Sequence, residues 1–409
     1  MLDMFSGSHT PYILEQFPRF KKELDGFTLY PNAVSTTNAT AHSITTLIGG
    51  EYYAVYNMNK RGQNLAEQIK QGYESIGESF ANSGFSVSYM SSMYSNLISH
   101  PSIHLISDYA IFEPYFNEKH NLKNAIDSYR AQTKHYETLD LISFGLFRFA
   151  PKLSAREKIY NNGAWLYKKM PNLLTAISHA SSTYAPTHFI NVDSTKPTFK
   201  FFHTFMTHFP YAVYFNGESC EFSNPKSAWE DYPHNVKRIY PQDRNFKNFH
   251  YQHYDAEACA MQYLTEYIAL LKEKGIYDKT QIFVVSDHGG DDKIGLPKFA
   301  YRPDVLLLFK DFGARGALKI DNRLMANYDI SSIFCANLKG GCPNVPPNIL
   351  QNYPSNREII YTIPYHWVLE KHESNKWLIN KAYKVRENIY DEQNWIDISD
   401  ESHGIVNHK

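Results

Sequence analysis

The Asp-His pair at positions 287 and 288 is the part of this sequence best suited to chemistry. It follows the apolar run Phe283-Val284-Val285 and precedes Gly289 and Gly290. The run predicts a buried strand that delivers a carboxylate and an imidazole at its carboxyl end, where open α/β sheets carry their functional sites. The glycines predict a tight turn away from the strand. Asp and His together suit Zn²⁺ or Mn²⁺, although a strand that ends in an ordinary polar turn has the same pattern.

A second group of reactive side chains lies in the segment 31–50. Hydroxyls at Thr36, Thr37, Thr40 and Ser43 lead into a short apolar stretch that ends in Gly-Gly. This order predicts a hydroxyl at the N-terminus of a helix, where free N–H groups and the helix dipole favour a bound anion. An ordinary Ser/Thr-rich helix cap would have the same composition.

Together the two segments resemble the alkaline phosphatase/sulfatase superfamily, in particular its phosphoethanolamine and phosphoglycerol transferase branch. Thr40 precedes Gly50 by ten residues, the spacing between nucleophile and glycine in sulfatases. Thr40 and Ser43 fit the Thr-x-x-Ser of the transferases. Residues 286–289, Ser-Asp-His-Gly, are similar to the superfamily's later metal motif. The resemblance implies that Thr40 is the nucleophile of an enzyme.

Further matches extend the resemblance along the chain. His208 begins a His-x-Pro-Tyr motif, whose His faces the substrate phosphate in the transferases, and 328–330 resembles the start of a late helix. Asp3 and His9 keep the six-residue spacing of a Glu and a His in the transferases. Only two residues precede Asp3, fewer than a strand normally has, so the sequence is expected to be a fragment that lacks its first strand.

The resemblance also implies a set of site residues. One divalent metal ion, Zn²⁺ or Mn²⁺, would be held by four side chains, Asp3, Thr40, Asp287 and His288. His208 would be catalytic, and His9 and Lys298 would bind substrate. The short segment 293–298 after the Asp-His-Gly motif holds no His, which favours one metal ion over two.

Departures from the family pattern restrict the expected chemistry. The chain lacks the Cys-x-(Pro/Ala)-x-Arg motif and has no cysteine at the nucleophile position, so the formylglycine chemistry of true sulfatases is not expected. The implied activity is that of a phosphotransferase, which acts on a phospholipid or glycan phosphodiester through a phospho-threonine intermediate. Two alternatives stay open: a sulfuric or phosphoric ester hydrolase of the same fold, and a catalytically inactive relative that binds lipid or protein.

The remaining sequence predicts the elements that must position these residues. Helical and strand-like segments alternate, at 63–82, 85–89, 255–274, 282–285 and 305–309. With the resemblance, this alternation implies an α/β, alkaline-phosphatase-like sandwich, with a mostly parallel central β-sheet and helices on both faces. Residues 116–170 are expected to form a helical insertion over the sheet. We expect a catalytic domain at 1–356 and, as part of the same domain, a small β-rich carboxyl-terminal region at 357–409.

Composition limits the classes of partner. The chain has 409 residues, with 41 basic and 42 acidic side chains and a pI near 7.0, so no broad field would attract nucleic acid. No apolar run approaches the roughly 18 residues needed to cross a bilayer, and no signal peptide opens the sequence. With the amino end expected to be truncated, a membrane anchor is expected in the parent protein and not in this chain.

The four cysteines bear on the cellular compartment. Cys335 and Cys342 bracket a Gly-bearing loop, long enough to bring their Cα atoms to disulfide distance. A disulfide there would indicate an extracytoplasmic, oxidising compartment such as the periplasm. Cys220 and Cys259 are expected to be buried apolar residues rather than a pair.

Four other polar residues are expected to have structural roles. His203 is predicted to lie in the core or beside a metal ligand. His253 is predicted to be a surface residue. Asp291 and Asp292 are predicted to be solvated carboxylates of the turn that follows the Asp-His pair, with a hydrogen bond to a metal-bound His as the alternative.

Overall fold

The structure, a computed structural model, describes much of the chain and the bounds of its regular elements. The described residues are 1–90, 98–106, 142–150, 152–160, 179, 182–183, 185–190, 192, 194–209, 211, 213–222 and 251–401. Its helices are α1 Thr10–Gln16, α2 Pro18–Glu23, α3 Thr40–Gly49, α4 Val55–Arg61, α5 Leu65–Asn82, α6 Leu153–Tyr160, α7 Tyr251–Glu273 and α8 Asp329–Cys335. Its strands are β1 Phe27–Leu29, β2 Ala33–Val34, β3 Ser86–Met90, β4 Ile103–Leu105, β5 Thr198–Phe202, β6 Val213–Phe215, β7 Cys220–Phe222, β8 Ile282–Val285, β9 Leu307–Lys310, β10 Lys319–Ile320, β11 Met325–Ala326, β12 Glu358–Pro364, β13 Ile379–Arg386 and β14 Trp395–Asp397. Most of the expected insertion at 116–170 lies outside the described residues.

The central sheet consists of two groups of strands that meet at the amino-terminal segment. One group has the order β10-β1-β9-β8, and the other has the order β4-β3-β5. Leu2 lies between them, because its N–H donates to the Val285 carbonyl (2.9 Å) and it pairs in parallel with Thr204, just beyond β5. Only β9 runs antiparallel to its neighbours, β1 and β8, among the strands of these two groups. Three of the five pairings in these groups are parallel and the two made by β9 are antiparallel, so the expected mostly parallel sheet is confirmed in part.

Helices cover both faces of this sheet, as expected. Val284 and Val285 belong to different apolar clusters, because successive side chains of a strand point to opposite faces. The Val284 cluster includes the stripe of α7 that contains Met261 and Ile268. The Val285 cluster includes side chains of α3, α5 and α8. The α/β fold class is thus confirmed, and β8 and β9 are buried between two helical layers.

A small antiparallel sheet of β12, β13 and β14 lies at the carboxyl-terminal side of the described chain. β12 includes the expected β-like residues 359–361. It is tied to the loop before α3, since the Thr362 N–H donates to the Thr36 carbonyl (2.9 Å) and Thr362 pairs in parallel with Thr37. The division of the chain at residue 356 stays a prediction.

Two disulfides cross-link the fold. Cys335 and Cys342 are bonded, with their Cα atoms 5.4 Å apart. Cys220 and Cys259 are also bonded, with a Cα separation of 5.5 Å, so the expectation that they are unpaired is wrong. The reason is tertiary: the β6–β7 hairpin packs on α7, which brings together residues 39 positions apart in sequence. In the described ranges, no helix combines the length and the apolar character needed to span a membrane.

Candidate metal and nucleophile site

Thr40 is the first residue of α3, at the carboxyl-terminal edge of the central sheet. Ala39 before it is extended (φ −143°, ψ 137°), and no side chain caps the helix. The helix ends before Gly50, whose φ of +84° is in the region that glycine adopts without strain. The segment 31–50 therefore folds as its sequence predicts, with the Thr40 hydroxyl at a helix N-terminus.

Asp287 and His288 follow directly after β8 and are fixed by the surrounding backbone and side chains. The Asp287 carbonyl accepts hydrogen bonds from Ser43 Oγ (2.6 Å) and Asn327 Nδ2 (2.8 Å), and the Met4 N–H donates to Asp287 Oδ1 (3.0 Å). His288 Nδ1 lies 2.8 Å from the Gly289 carbonyl. Because a carbonyl can only accept, Nδ1 carries the proton, and the lone pair of Nε2 is left for a ligand.

Asp3 is fully buried and is oriented by His203. His203 Nε2 donates to Asp3 Oδ2 (2.8 Å), and Thr207 Oγ1 donates to the Asp3 carbonyl. Burial alone would raise the pKa of Asp3, but the His203 hydrogen bond and the nearby imidazoles of His208, His203 and His288 together lower it to about 2. Asp3 is thus a carboxylate at neutral pH, and His203 lies beside it, as the sequence suggests.

The four side chains expected to hold a metal ion converge on one point. Thr40 Oγ1 lies 3.3 and 3.4 Å from the two Asp3 carboxylate oxygens and 3.3 Å from His288 Nε2, which is 3.3 Å from Asp287 Oδ2. Four ligand atoms arranged tetrahedrally about 2.0 Å from an ion lie about 3.3 Å from one another. The three separations of 3.3 Å are of this size, and Asp3, Asp287 and His288 offer ligand atoms that all lie within 4.8 Å of one another.

The chemistry of this donor set also fits a divalent ion. Asp287 Oδ2 is buried and has no hydrogen-bond partner in the described part of the chain. An unpaired buried carboxylate oxygen is unfavourable unless a cation compensates it. Two carboxylates, one imidazole and one hydroxyl suit Zn²⁺ or Mn²⁺. The residues present thus fit the metal ion that the sequence predicts.

His208 is half-buried in the loop after β5. Its Nδ1 lies 2.6 Å from the Phe209 carbonyl, which leaves Nε2 as the nitrogen available to a substrate. Its imidazole is close enough to help lower the pKa of Asp3. His179 packs against it, with ring centroids 5.6 Å apart and an edge-on arrangement. His208 therefore belongs to the surroundings of Asp3, at the edge of the site that is open to solvent.

Of the two predicted substrate-binding residues, one is buried and the other is exposed. His9 is fully buried, with Nδ1 2.6 Å from Glu257 Oε2, so burial separates it from any substrate in solution. Lys298 is exposed, and no hydrogen bond or ion pair of its side chain with the described residues holds it at the site. Lys293 points inward instead and donates to the carbonyls of Pro297 and Lys298. The expected contact from His9 is therefore not supported by its position.

The sequence does not predict a group of buried charged residues that lies beside the site. His253 and Asp292, expected at the surface, are buried and lie 2.8 Å apart between Nδ1 and Oδ1, next to Glu257. α7 starts four residues earlier than predicted, which places His253 inside the helix. His253 and Glu257 continue the buried row of Met261 towards the helix N-terminus, at i and i+4 spacing. That periodicity is the signal that could have identified them.

The two glycines after His288 have a different role from the predicted one. Neither has a positive φ. A Cβ on Gly289 would lie 2.5 Å from Asp304 Oδ1, and a Cβ on Gly290 would lie 2.3 Å from His253 Cε1. The glycines are therefore required by the close approach of buried side chains rather than by a left-handed turn.

Several known proteins are similar to this chain in fold. No curated protein matches the sequence. Ps i-CgsB in complex with k-i-k-neocarrahexaose superposes with a TM-score of 0.52, at 14% identity, over 98% of this chain and 88% of that one. A Bacteroides thetaiotaomicron protein of glycosaminoglycan metabolism also gives 0.52, at 12% identity, over 94% and 83%. A Vibrio parahaemolyticus protein of the alkaline phosphatase superfamily gives 0.48, at 11% identity, over 97% and 80%. The Sulfatase family model matches residues 4–293, more than half of the sequence, and the chain thus belongs to the sulfatase family.

Proposed function

We propose that this protein is a metal-dependent phosphotransferase, with Thr40 as the nucleophile that carries the transferred group. The observation that supports this most directly is the position of Thr40 Oγ1, 3.3–3.4 Å from Asp3 and His288. A threonine cannot become the formylglycine on which sulfate-ester hydrolysis in this family depends. An alkoxide beside a divalent ion suits attack on phosphorus.

In this mechanism the side chains around Thr40 prepare a single nucleophile. A bound Zn²⁺ or Mn²⁺, held by Asp3, Asp287 and His288, would lower the pKa of the Thr40 hydroxyl and so make it reactive at neutral pH. No side chain caps α3, and the N–H groups of His42 and Ser43 donate to the Ala39 carbonyl, so those of Thr40 and Ala41 are the ones that can donate to nonbridging oxygens of the phosphodiester. His208 Nε2 would stabilise developing negative charge or protonate the leaving alcohol.

The reaction would proceed in two displacements at phosphorus. Thr40 Oγ1 forms a bond to phosphorus, the bond to the first alcohol breaks, and that alcohol takes a proton. A second alcohol, on a glycan or a lipid, then attacks phospho-Thr40 and restores the hydroxyl. Two in-line displacements give net retention of configuration at phosphorus. Water as the second acceptor would make the same enzyme a phosphodiesterase.

The proposed substrate is a phospholipid or a phosphorylated glycan outside the cytoplasm. The two disulfides fit an oxidising compartment. We place the chain in the periplasm or at the outer face of the inner membrane, with any membrane anchor in the parent protein.

The test is the intact mass of the protein after incubation with zinc and single phospholipids, phosphatidylethanolamine or phosphatidylglycerol. We expect a mass increase equal to one phosphorylated head group, located on Thr40 by peptide mapping. Thr40→Ala should show no increase and no turnover. Thr36→Ala and Thr37→Ala are matched controls in the same loop. Their head-group labelling and their turnover should stay within a few-fold of wild type.

Other outcomes would contradict the proposal in distinct ways. A head group found on Thr36 or Thr37 would mean that this residue, and not Thr40, is the nucleophile. Turnover that persists in all three variants would mean direct attack by water. A protein that binds zinc but neither turns over nor is labelled would be an inactive binding relative.

A further inference from the structure

Four buried side chains beside the metal site form a closed ring of alternating histidines and carboxylates. We call His9, Glu257, His253 and Asp292 the His/carboxylate ring. Around it, the closest nitrogen–oxygen separations are 2.6 Å (His9 to Glu257), 3.2 Å (Glu257 to His253), 2.8 Å (His253 to Asp292) and 3.8 Å (Asp292 to His9). Every member is at most 5% exposed. None of these residues takes part in the reaction proposed above.

The state of His253 follows from what its two nitrogens face. Nδ1 lies 2.8 Å from an Asp292 oxygen, and Nε2 lies 2.9 Å from the Met4 carbonyl. Both partners are acceptors, so the imidazole donates from both nitrogens and carries a positive charge. Burial opposes this charge, but Glu257 and Asp292 outweigh it and raise the pKa of His253 to about 9. With neither lone pair available, His253 does not have the arrangement of a metal ligand.

The ring contacts the amino-terminal loop at its most strained residue. Met4 has φ +62°, in the left-handed region that a side chain disfavours. Its carbonyl is held by His253, while its N–H donates to Asp287 Oδ1 (3.0 Å). Two residues further on, the Ser6 N–H donates to Glu257 Oε1 (2.7 Å). The strained conformation therefore depends on bonds from the ring on one side and from a metal-site carboxylate on the other.

We propose that His253 is a positioning residue: by holding the carbonyl of Met4 it fixes the left-handed turn that places Asp3 and orients Asp287 for the metal ion. Asp3 directly precedes Met4, so a change of φ at Met4 would swing the Asp3 carboxylate relative to Asp287. The N–H that sets the rotamer of Asp287 would move as well. This inference rests on the metal site of the proposed function and adds a residue that does not touch the ion.

The contact between His253 and Met4 requires a glycine at position 290. Gly290 is the residue whose Cβ would collide with His253 Cε1 at 2.3 Å and with Asp292 Oδ1 at 2.7 Å. A side chain at position 290 would thus push the imidazole away from Met4. Loss of a residue that orients the metal ligands without binding the ion itself typically lowers metal affinity about 10- to 100-fold.

A pair of substitutions separates the Met4 contact from the charge of the ring. His253→Gln places an amide N–H near the position of Nε2 and keeps a donor for Met4. His253→Asn places the amide N–H near the position of Nδ1, so it keeps a donor for Asp292 but loses the hydrogen bond to the Met4 carbonyl. Zinc affinity, measured by competition with a chromogenic chelator, should fall about 10- to 100-fold in His253→Asn and stay within a few-fold of wild type in His253→Gln.

Glycine at position 4 provides the rescue, because it adopts a positive φ without a Cβ clash. Met4→Gly in the His253→Asn background should restore most of the zinc affinity, even though it removes an apolar side chain and lowers thermal stability further. Lys310→Met is the matched control: Lys310 is fully buried at the far end of β9, where Nζ donates to the Tyr277 carbonyl (2.7 Å). It should lower stability without a change in zinc affinity.

Several results would overturn the inference. His253→Asn with wild-type affinity, or a double variant no better than His253→Asn, would mean that the ring only stabilises the fold. Two zinc ions in wild type and one in His253→Asn would make the ring a metal site. Wild type without bound zinc would refute the proposed metal site itself, whereas one tightly bound ion in both proteins refutes only the role of His253. If both His253 variants fail to fold, the zinc affinity of Met4→Val is the test, because a β-branched residue disfavours a positive φ. Wild-type zinc affinity in Met4→Val would refute the inference.

Discussion

The charge on His253 should make the stability of the protein depend on pH in a defined direction. Its pKa is about 9 in the folded protein, against 6.5 for an ordinary histidine. Because the folded value is the higher one, its contribution to stability is fully present below pH 6.5 and is lost as the pH rises through about 9. Two and a half pH units at about 1.4 kcal/mol each give roughly 3 kcal/mol.

The measurement is the free energy of unfolding from urea titrations of chelator-treated protein at pH 6, 7, 8, 9 and 10. Other titratable groups add slopes of their own over this range, so the pH dependence of wild type alone does not isolate His253. The informative quantity is therefore the difference between wild type and His253→Gln, which should shrink by roughly 3 kcal/mol between pH 6.5 and 9. A difference that is constant or grows with pH would mean that His253 is neutral in the fold and that the reasoning about its two acceptors is wrong.

Three further predictions follow from the geometry. His208→Ala should lower kcat/KM about 10²- to 10³-fold, as expected for a group that stabilises developing charge, and unchanged kinetics would remove His208 from the mechanism. Gly290→Ala should cost about 1–3 kcal/mol in urea denaturation, because its Cβ would overlap His253. Gly145→Ala, at a helical position where a Cβ meets no atom within 4 Å, should leave stability unchanged or raise it by up to about 1 kcal/mol; equal losses in the two variants would contradict the steric argument. Thiol titration of unfolded, non-reduced protein should find no free thiol, since all four cysteines are paired; four reactive thiols would remove the main support for an oxidising compartment.

The sequence predicts the elements that local pattern determines. The β-branched run before Asp287, the helix that starts at Thr40 and the apolar stripe of α7 all lie within a few residues of the predicted positions. Each has a period or a terminating residue that can be read without knowledge of the rest of the chain. These patterns place Thr40 at a helix N-terminus and the Asp-His pair at a strand end, and the tertiary fold then brings the two together.

Long-range packing determines what the sequence does not reveal. His253 and Asp292 are predicted to be solvent-exposed, yet each is buried by partners far away in sequence. The Cys220–Cys259 pairing depends on how a hairpin docks on α7. The antiparallel direction of β9 depends on sheet topology. None of these has a signature at short sequence separation.

The hydrogen bond between β12 and the loop before Thr40 has a consequence for biosynthesis. Thr362 holds the carbonyl of Thr36 across 326 positions of sequence, so the loop before Thr40 reaches its final shape only after β12 exists. A growing chain that emerges amino end first therefore carries Thr40 before the partner strand that holds the preceding loop has been made. Contacts of such long separation form slowly, since loop closure must precede them. The backbone on the amino-terminal side of Thr40 is thus completed only after synthesis has passed residue 362, long after Thr40 itself has left the ribosome.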